Sequence, residues 1–166
     1  MRESLKFAVE KFGKKPVVAV ELGVAAGDNA TRIFKALSCS NLFLIDNWRQ
    51  GYNAQAKEWL WRTCEKFDGI KSVFIVRQEA ITAAGLFAVN AIDYLYIDDD
   101  HSPEHVYKEL VAWYKKVKVG GIIAGHDWAD NERASKAVKE FCEKYKIEYF
   151  VKQNEGEKVA DWWFVK

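Results

Sequence analysis

At 166 residues, 49% of them apolar and 30% charged, the chain has the size and composition of a globular protein, not of a disordered or fibrous one. Its 25 basic residues against 24 acidic ones leave a formal charge of +1, which gives no general attraction to nucleic acid or acidic membranes. Cys39, Cys64 and Cys142 lack zinc or CxxC spacing and suit reduced thiols in a cytoplasmic setting, and no apolar run approaches the ~18 residues of a membrane-spanning helix.

The opening MRESLKFAVEKFGKK is charged throughout, unlike a signal peptide, and carries a short helix over about residues 3–12. VVAVEL (17–22) reads as a buried strand and runs straight into ELGVAAGDNATRIFKAL. A glycine at a strand end lets the chain turn sharply. Small residues at Ala25, Ala26 and Gly27 let a ligand approach the backbone, and the helix that follows presents free N–H groups. A dinucleotide fingerprint needs G-x-G-x-x-G. Here the spacing is Gly23-x-x-x-Gly27, and Glu21 ahead of it would repel a pyrophosphate; Glu21 or Asp28 is better suited to a cationic ligand.

The second apolar run, LFLID (42–46), ends in Asp46, where an acid can accept both hydroxyls of a ribose. The aromatic segment NWRQGYNAQAKEWLWRTCEKF follows. Ala56, Leu60, Cys64 and Phe67, with Trp59, form one helix face, leaving Trp61 and Tyr52 off that stripe as candidate substrate contacts in a covering element. SVFIV (72–76) is the third strand, and IDYLYID (92–98) the fourth. A helix spans 103–117, with Val106, Leu110, Trp113, Tyr114 and Val117 on one stripe, Ser102 as N-cap and Pro103 at its first position. Gly120-Gly121 closes that unit before the fifth strand, GIIAG (121–125), and 130–145 forms a further helix. IEYFVK (147–152) and VADWWFVK (159–166) flank QNEGEK with no room for a helix, so they pair as an antiparallel hairpin.

This rhythm predicts an α/β fold: a Rossmann-like seven-stranded sheet with helices on both faces and an antiparallel C-terminal hairpin strand, with 1–166 forming a single domain. The apolar run ADWWFV places 159–165 beside the fifth strand, buried on both faces, and 147–152 at the edge.

E-x-G-x-x-x-G after strand one, an acid ending strand two and the terminal hairpin together resemble the class I S-adenosylmethionine-dependent methyltransferases. The resemblance implies S-adenosylmethionine as cofactor. Glu21, Gly23 and Gly27 would line its methionine end and Asp46 would hold its ribose. Gln78, Glu79 and Ala80 would border the adenine, where the family often carries Gly-Asp-Ser. Trp48 either stacks on adenine or packs in the core.

YIDDDHSPEH and GHDW bring Asp98, Asp99, Asp100 and all three histidines to the C-terminal edge of the sheet, where an open parallel sheet has its ligand crevice. Crowded acids need a cation or hydrogen bonds to offset their repulsion, and oxygen donors suit a hard ion such as Mg²⁺. The plainer reading is of solvated caps ahead of Ser-Pro. ID-x-DH-S-x-E, followed by a helix, GG and GHDW, is similar to small-molecule O-methyltransferases that act on macrolide sugars, and shares the layout of catechol-type enzymes. That resemblance implies Asp98 and Asp127 as Mg²⁺ ligands, with His126 where relatives often carry another acid. It also implies His101 as general base, beside Asp98 in the catalytic group. His105 reads as a surface residue.

The expectation is thus an S-adenosylmethionine-dependent, divalent-metal-assisted O-methyltransferase acting on a small hydroxylated molecule, with no nucleic-acid or membrane partner. Lacking a large cap domain, its substrate pocket is shallow or is completed by a second subunit of a homo-oligomer. A non-catalytic adenosyl-cofactor-binding module stays open as an alternative. A nicotinamide-dependent oxidoreductase does too, although the loop spacing and Glu21 disfavour it.

Overall fold

In the computed structural model, which describes residues 1–49, 55–129, 132–156, 158 and 160–166, strands and helices alternate as the apolar pattern predicts. Helix α1 (Glu3–Phe12) precedes β1 (Val17–Leu22), α2 (Asp28–Ala36), β2 (Cys39–Asp46), α3 (Ala56–Lys66) and β3 (Val73–Arg77). The one-turn α4 (Ala80–Ala83), β4 (Ile92–Ile97), α5 (Pro103–Tyr114) and β5 (Val117–Ala129) follow. The chain ends with β6 (Glu132–Arg133), α6 (Ala134–Tyr145), β7 (Tyr149–Gln153) and β8 (Ala160–Val165).

The strands form one sheet in the order β3-β2-β1-β4-β5-β8-β7, and the two-residue β6 pairs with β5 off that path. The first five strands pair in parallel, whereas β8 is antiparallel to both β5 and β7. The hairpin therefore takes the predicted place, with ADWWFV inside. Its alternation explains why: Trp162 and Phe164 point into one core and Trp163 into the other, so the strand must be covered on both faces.

Among the described residues each face carries three α-helices. α4, α5 and α6 pack on Val20, Leu22, Leu95, Ile97 and Ile123. α1, α2 and α3 pack on Ala19, Leu42, Leu44, Tyr94 and Tyr96. Several details differ from the periodicity. Helix α6 begins at Ala134 instead of 130, because Glu132–Arg133 pair with β5. Helix α5 stops at Tyr114, and Val117 opens β5 instead of closing the helix, because Ile92 pairs with it in the sheet. Along α3 the buried line passes through Ala56 and Thr63 to Phe67, while Cys64 is exposed. The threonine is inside because its hydroxyl has a backbone carbonyl to meet. Among the described residues no helix is long and apolar enough to cross a membrane.

Candidate active site

The switch point of the sheet lies between β1 and β4, whose C-terminal ends diverge to opposite helical layers. Gly23 turns the chain there with φ 77°, and a Cβ built on it would stand 2.1 Å from the Asp98 carbonyl oxygen. No side chain fits, so the glycine loop and the acidic loop after β4 lie backbone against backbone. Gly27, also at φ 77°, caps α2 at its N-terminus. A cleft of about 690 Å³ opens beside Gly23, walled by Asp46, Trp48, Trp59, Asp98 and His101. A smaller hollow of about 390 Å³ reaches Glu21 and Asn29.

Glu21 is the most constrained acid of the site. It is buried, its Oε1 accepts a hydrogen bond of 2.8 Å from the Asn29 amide, and its Oε2 has no hydrogen-bond partner among the described residues. Burial pushes its carboxyl up to about 8, the Asn29 hydrogen bond opposing. A buried carboxylate oxygen without a partner beside an open hollow is a receptor for a cation.

Asp46 holds the glycine loop. Its Oδ2 accepts the backbone N–H groups of Val24 and Ala25 at 3.0 and 2.9 Å, and its Oδ1 accepts that of Trp48 at 2.8 Å. Burial raises this carboxyl and the three N–H groups lower it. Oδ2 has both its lone pairs engaged by the loop, and Oδ1 keeps one. Trp48 is buried and also lines the cleft, its indole donating to the Ala25 carbonyl at 2.9 Å. Ala25 also accepts from the Thr63 hydroxyl at 3.0 Å, and Lys66 reaches the Ala26 carbonyl at 2.7 Å and the Asp28 carboxylate. Helix α3 thus clamps the loop, with Trp59 at the cleft wall. Trp61 is 62% exposed and turned away from this packing, and Tyr52 lies outside the described residues.

Past β3, Glu79 lines the cleft and is tied to its rim by the Asn47 amide at 3.3 Å and the Arg49 guanidinium at 3.5 Å. Gln78 continues the sheet, donating its N–H to the Asp46 carbonyl at 3.0 Å. Ala80 is buried at the start of α4, where its carbonyl accepts from the Trp113 indole.

Three groups converge on the far wall. Asp98, His101 and Asp127 bring a ligand-capable atom each within 4.8 Å of one another. His101 Nε2 lies 3.0 Å from Asp127 Oδ2, a hydrogen bond. His126 is outside that trio, its Nδ1 3.7 Å from Asp127 Oδ2 and its carbonyl accepting from the Trp162 indole. Burial raises the Asp98 carboxyl, while Arg2, His126 and His101 pull it down. Arg2 comes from the far end of the chain. Its Nη2 is 3.6 Å from Asp98, its Nη1 3.3 Å from the fully buried Asp161, and its guanidinium lies over the Tyr96 ring. Ala25, Trp48 and Asp127, all at this crevice, have φ of 48°, 43° and 56°.

His105 is not a plain surface residue. It stands between Asp99 and the buried Glu109, 3.6 Å from each, and those carboxylates push its imidazole up to about 10. Local patterning left Arg2, Thr63 and Glu109 unnoticed. The spacing His105-x-x-x-Glu109 beside the apolar stripe, and an acid inside ADWWFV, were the signals available.

A family profile described as a methyltransferase domain matches residues 20–128, from the first strand to the end of the fifth. The chain belongs to that methyltransferase family. Its fold is also shared by solved structures of low sequence identity. A rRNA methylase from Streptococcus thermophilus is 12% identical with a TM-score of 0.73, covering 98% of this chain and 93% of that one. A SAM-dependent methyltransferase from Aquifex aeolicus is 18% identical with a TM-score of 0.68, over 96% and 88%. Aeropyrum pernix fibrillarin, solved with natively bound S-adenosyl-L-methionine, is 14% identical with a TM-score of 0.69, over 90% and 66%. No curated protein matches the sequence.

Proposed function

We propose that this protein transfers the methyl group of S-adenosylmethionine to a hydroxyl of a small molecule. The observation that carries the cofactor is the unpartnered Oε2 of buried Glu21 beside the loop that only glycine can turn at position 23. Glu21 would receive the cationic methionine end, and the remaining lone pair of Asp46 Oδ1 a ribose hydroxyl. Glu79 would border the adenine from the cleft rim, with Gln78 and Ala80 shaping the backbone on either side of it. Trp48 contributes by fixing the loop through Ala25.

Methyl transfer is an in-line displacement at a sulfonium, so the protein must align the acceptor oxygen and take its proton. His101 would be the base. Its Nε2 is held by Asp127, which leaves Nδ1 to accept the proton and gives the imidazolium a compensating charge. Asp98 stands beside it on the same wall. Asp98 and Asp127 also place two carboxylates where a divalent cation would be held, with His101 kept as the base. Bound there, Mg²⁺ would supply a Lewis acid that makes the hydroxyl more acidic. His126 would then support Asp127 instead of completing the ligand set.

Solved structures of similar fold include rRNA methylases, which makes nucleic acid the rival acceptor class. Asp98, Asp99, Asp100 and Glu79 at the cleft argue for the neutral small molecule, since they repel phosphate. Incubation with methyl-labelled S-adenosylmethionine, a panel of hydroxylated small molecules, and RNA, with and without EDTA, tests the reading. Label in a small hydroxylated product is expected, and falls in EDTA if the cation assists. Label appearing in RNA alone would overturn the acceptor class.

A further inference from the structure

We propose that Asp99, His105 and Glu109 form a second cation site, for one borderline divalent ion of the zinc type, on the inner side of the loop that follows β4. The site is distinct from the Asp98–His101–Asp127 trio and does not rest on the methyl-transfer reading.

The first argument is distance. His105 Nε2 lies 3.6 Å from Asp99 Oδ2 and 3.6 Å from Glu109 Oε1. That is too long for a charged N–H···O hydrogen bond, which closes to about 2.7–2.9 Å. It equals the edge of a tetrahedral site, because metal–ligand bonds of about 2.0–2.2 Å put neighbouring donors roughly 3.3–3.6 Å apart. The His101–Asp127 pair, at 3.0 Å, has closed to a hydrogen bond, so this chain does not hold all its imidazole–carboxylate pairs open.

The second argument is satisfaction. Glu109 is fully buried, and among the described residues neither of its carboxylate oxygens has a hydrogen-bond partner. The facing Nε2 of His105 is equally without one. These three buried polar atoms, none of them hydrogen-bonded, lie in one cluster with Asp99 and suit a group that meets them together. A divalent ion does so at once, offsetting two carboxylates with its two charges.

The third is chemistry and rigidity. His105 and Glu109 are four residues apart on α5 and so project from one helix face, while Asp99 comes from the loop above. One imidazole and two carboxylates leave a fourth position for water, a set that suits Zn²⁺ or Co²⁺ better than Mg²⁺. The ion would fix the loop on whose backbone Gly23 rests, and so set the shape of the cofactor crevice from behind.

Equilibrium dialysis of the metal-stripped protein against Co²⁺ and Zn²⁺ tests this, in wild type and in an Asp127→Asn background that disables the other trio. The Asp127→Asn protein should retain one equivalent and wild type at least one, with a visible absorption band for Co²⁺ and a raised thermal midpoint with either metal. His105→Gln and Glu109→Gln, both near in shape to the native side chain, should each weaken retention by roughly tenfold or more. Their midpoints should no longer respond to metal. No ion retained by wild type at millimolar metal would overturn the proposal. So would retention that survives Glu109→Gln and is lost in Asp127→Asn.

Discussion

Glu21 and Gly23 show how single residues commit the crevice. The Glu21 carboxyl is pushed from its ordinary 4.5 to about 8, so the folded protein binds that proton more tightly than the unfolded chain. Stability from this group is therefore full below the ordinary value and is lost as pH rises toward 8. Glu21→Gln should flatten that decline, as read by denaturant midpoints measured across the interval. A bound cation reverses the preference. S-adenosylmethionine should therefore release a proton on binding near neutral pH, seen as a buffer-dependent heat in calorimetry and absent in Glu21→Gln. Gly23→Ala combines a left-handed backbone, costing about 1–2 kcal/mol, with overpacking of about 1–3 kcal/mol. It should destabilise the fold by about 2–5 kcal/mol, and a stability within error of wild type would show that the two loops can part. Both residues were legible in the sequence, because a glycine at a strand end is conspicuous and a charge ending an apolar strand is too. The part played by Asp46 was legible only in half. Its place follows from the end of β2, but its hydrogen bonds to Val24 and Ala25 depend on how the loop folds back.

At the scale of elements, two clamps hold the site. Helix α3 grips the glycine loop through Thr63 and Lys66. The N-terminal segment grips the hairpin, where Asp161 accepts from Arg2, Ser4, Tyr96 and Asn154. Thr63→Val keeps the shape and removes the hydroxyl, so it should cost about 0.5–1.5 kcal/mol and loosen cofactor binding in proportion. Arg2→Met breaks a pair whose acid is fully buried. The usual cost of such a break is about 3–5 kcal/mol, and the lower end is expected because Asp161 keeps its other donors. Chemical denaturation reads the effect, and a loss below about 1 kcal/mol would remove Arg2 from the latch. The helix face along α3 was readable to within one residue. Periodicity ranked Cys64 above Thr63 because it weighs hydropathy and does not see the Ala25 carbonyl. Arg2 was out of reach of any local pattern: it meets Asp161 across 159 residues of sequence.

Across the whole molecule, the sheet order was legible and the interior charges were not. Strand order follows from one asymmetry, an apolar ADWWFV against a half-polar IEYFVK, which puts the first inside and the second at the edge. Crossover handedness and the alternation of helices do the rest. Buried groups such as Asp161 and Glu109 are decided by which elements meet, and that is settled only when all strands are in place. The same assembly brings the glycine loop, Asp46 and the acidic loop to one edge, and the central claim is that this edge binds S-adenosylmethionine. Calorimetric titration of the protein with S-adenosylmethionine and, separately, with NAD measures it most directly. The account predicts one-to-one, micromolar-range binding of S-adenosylmethionine and far weaker binding of NAD. Tight binding of NAD with none of S-adenosylmethionine would contradict it.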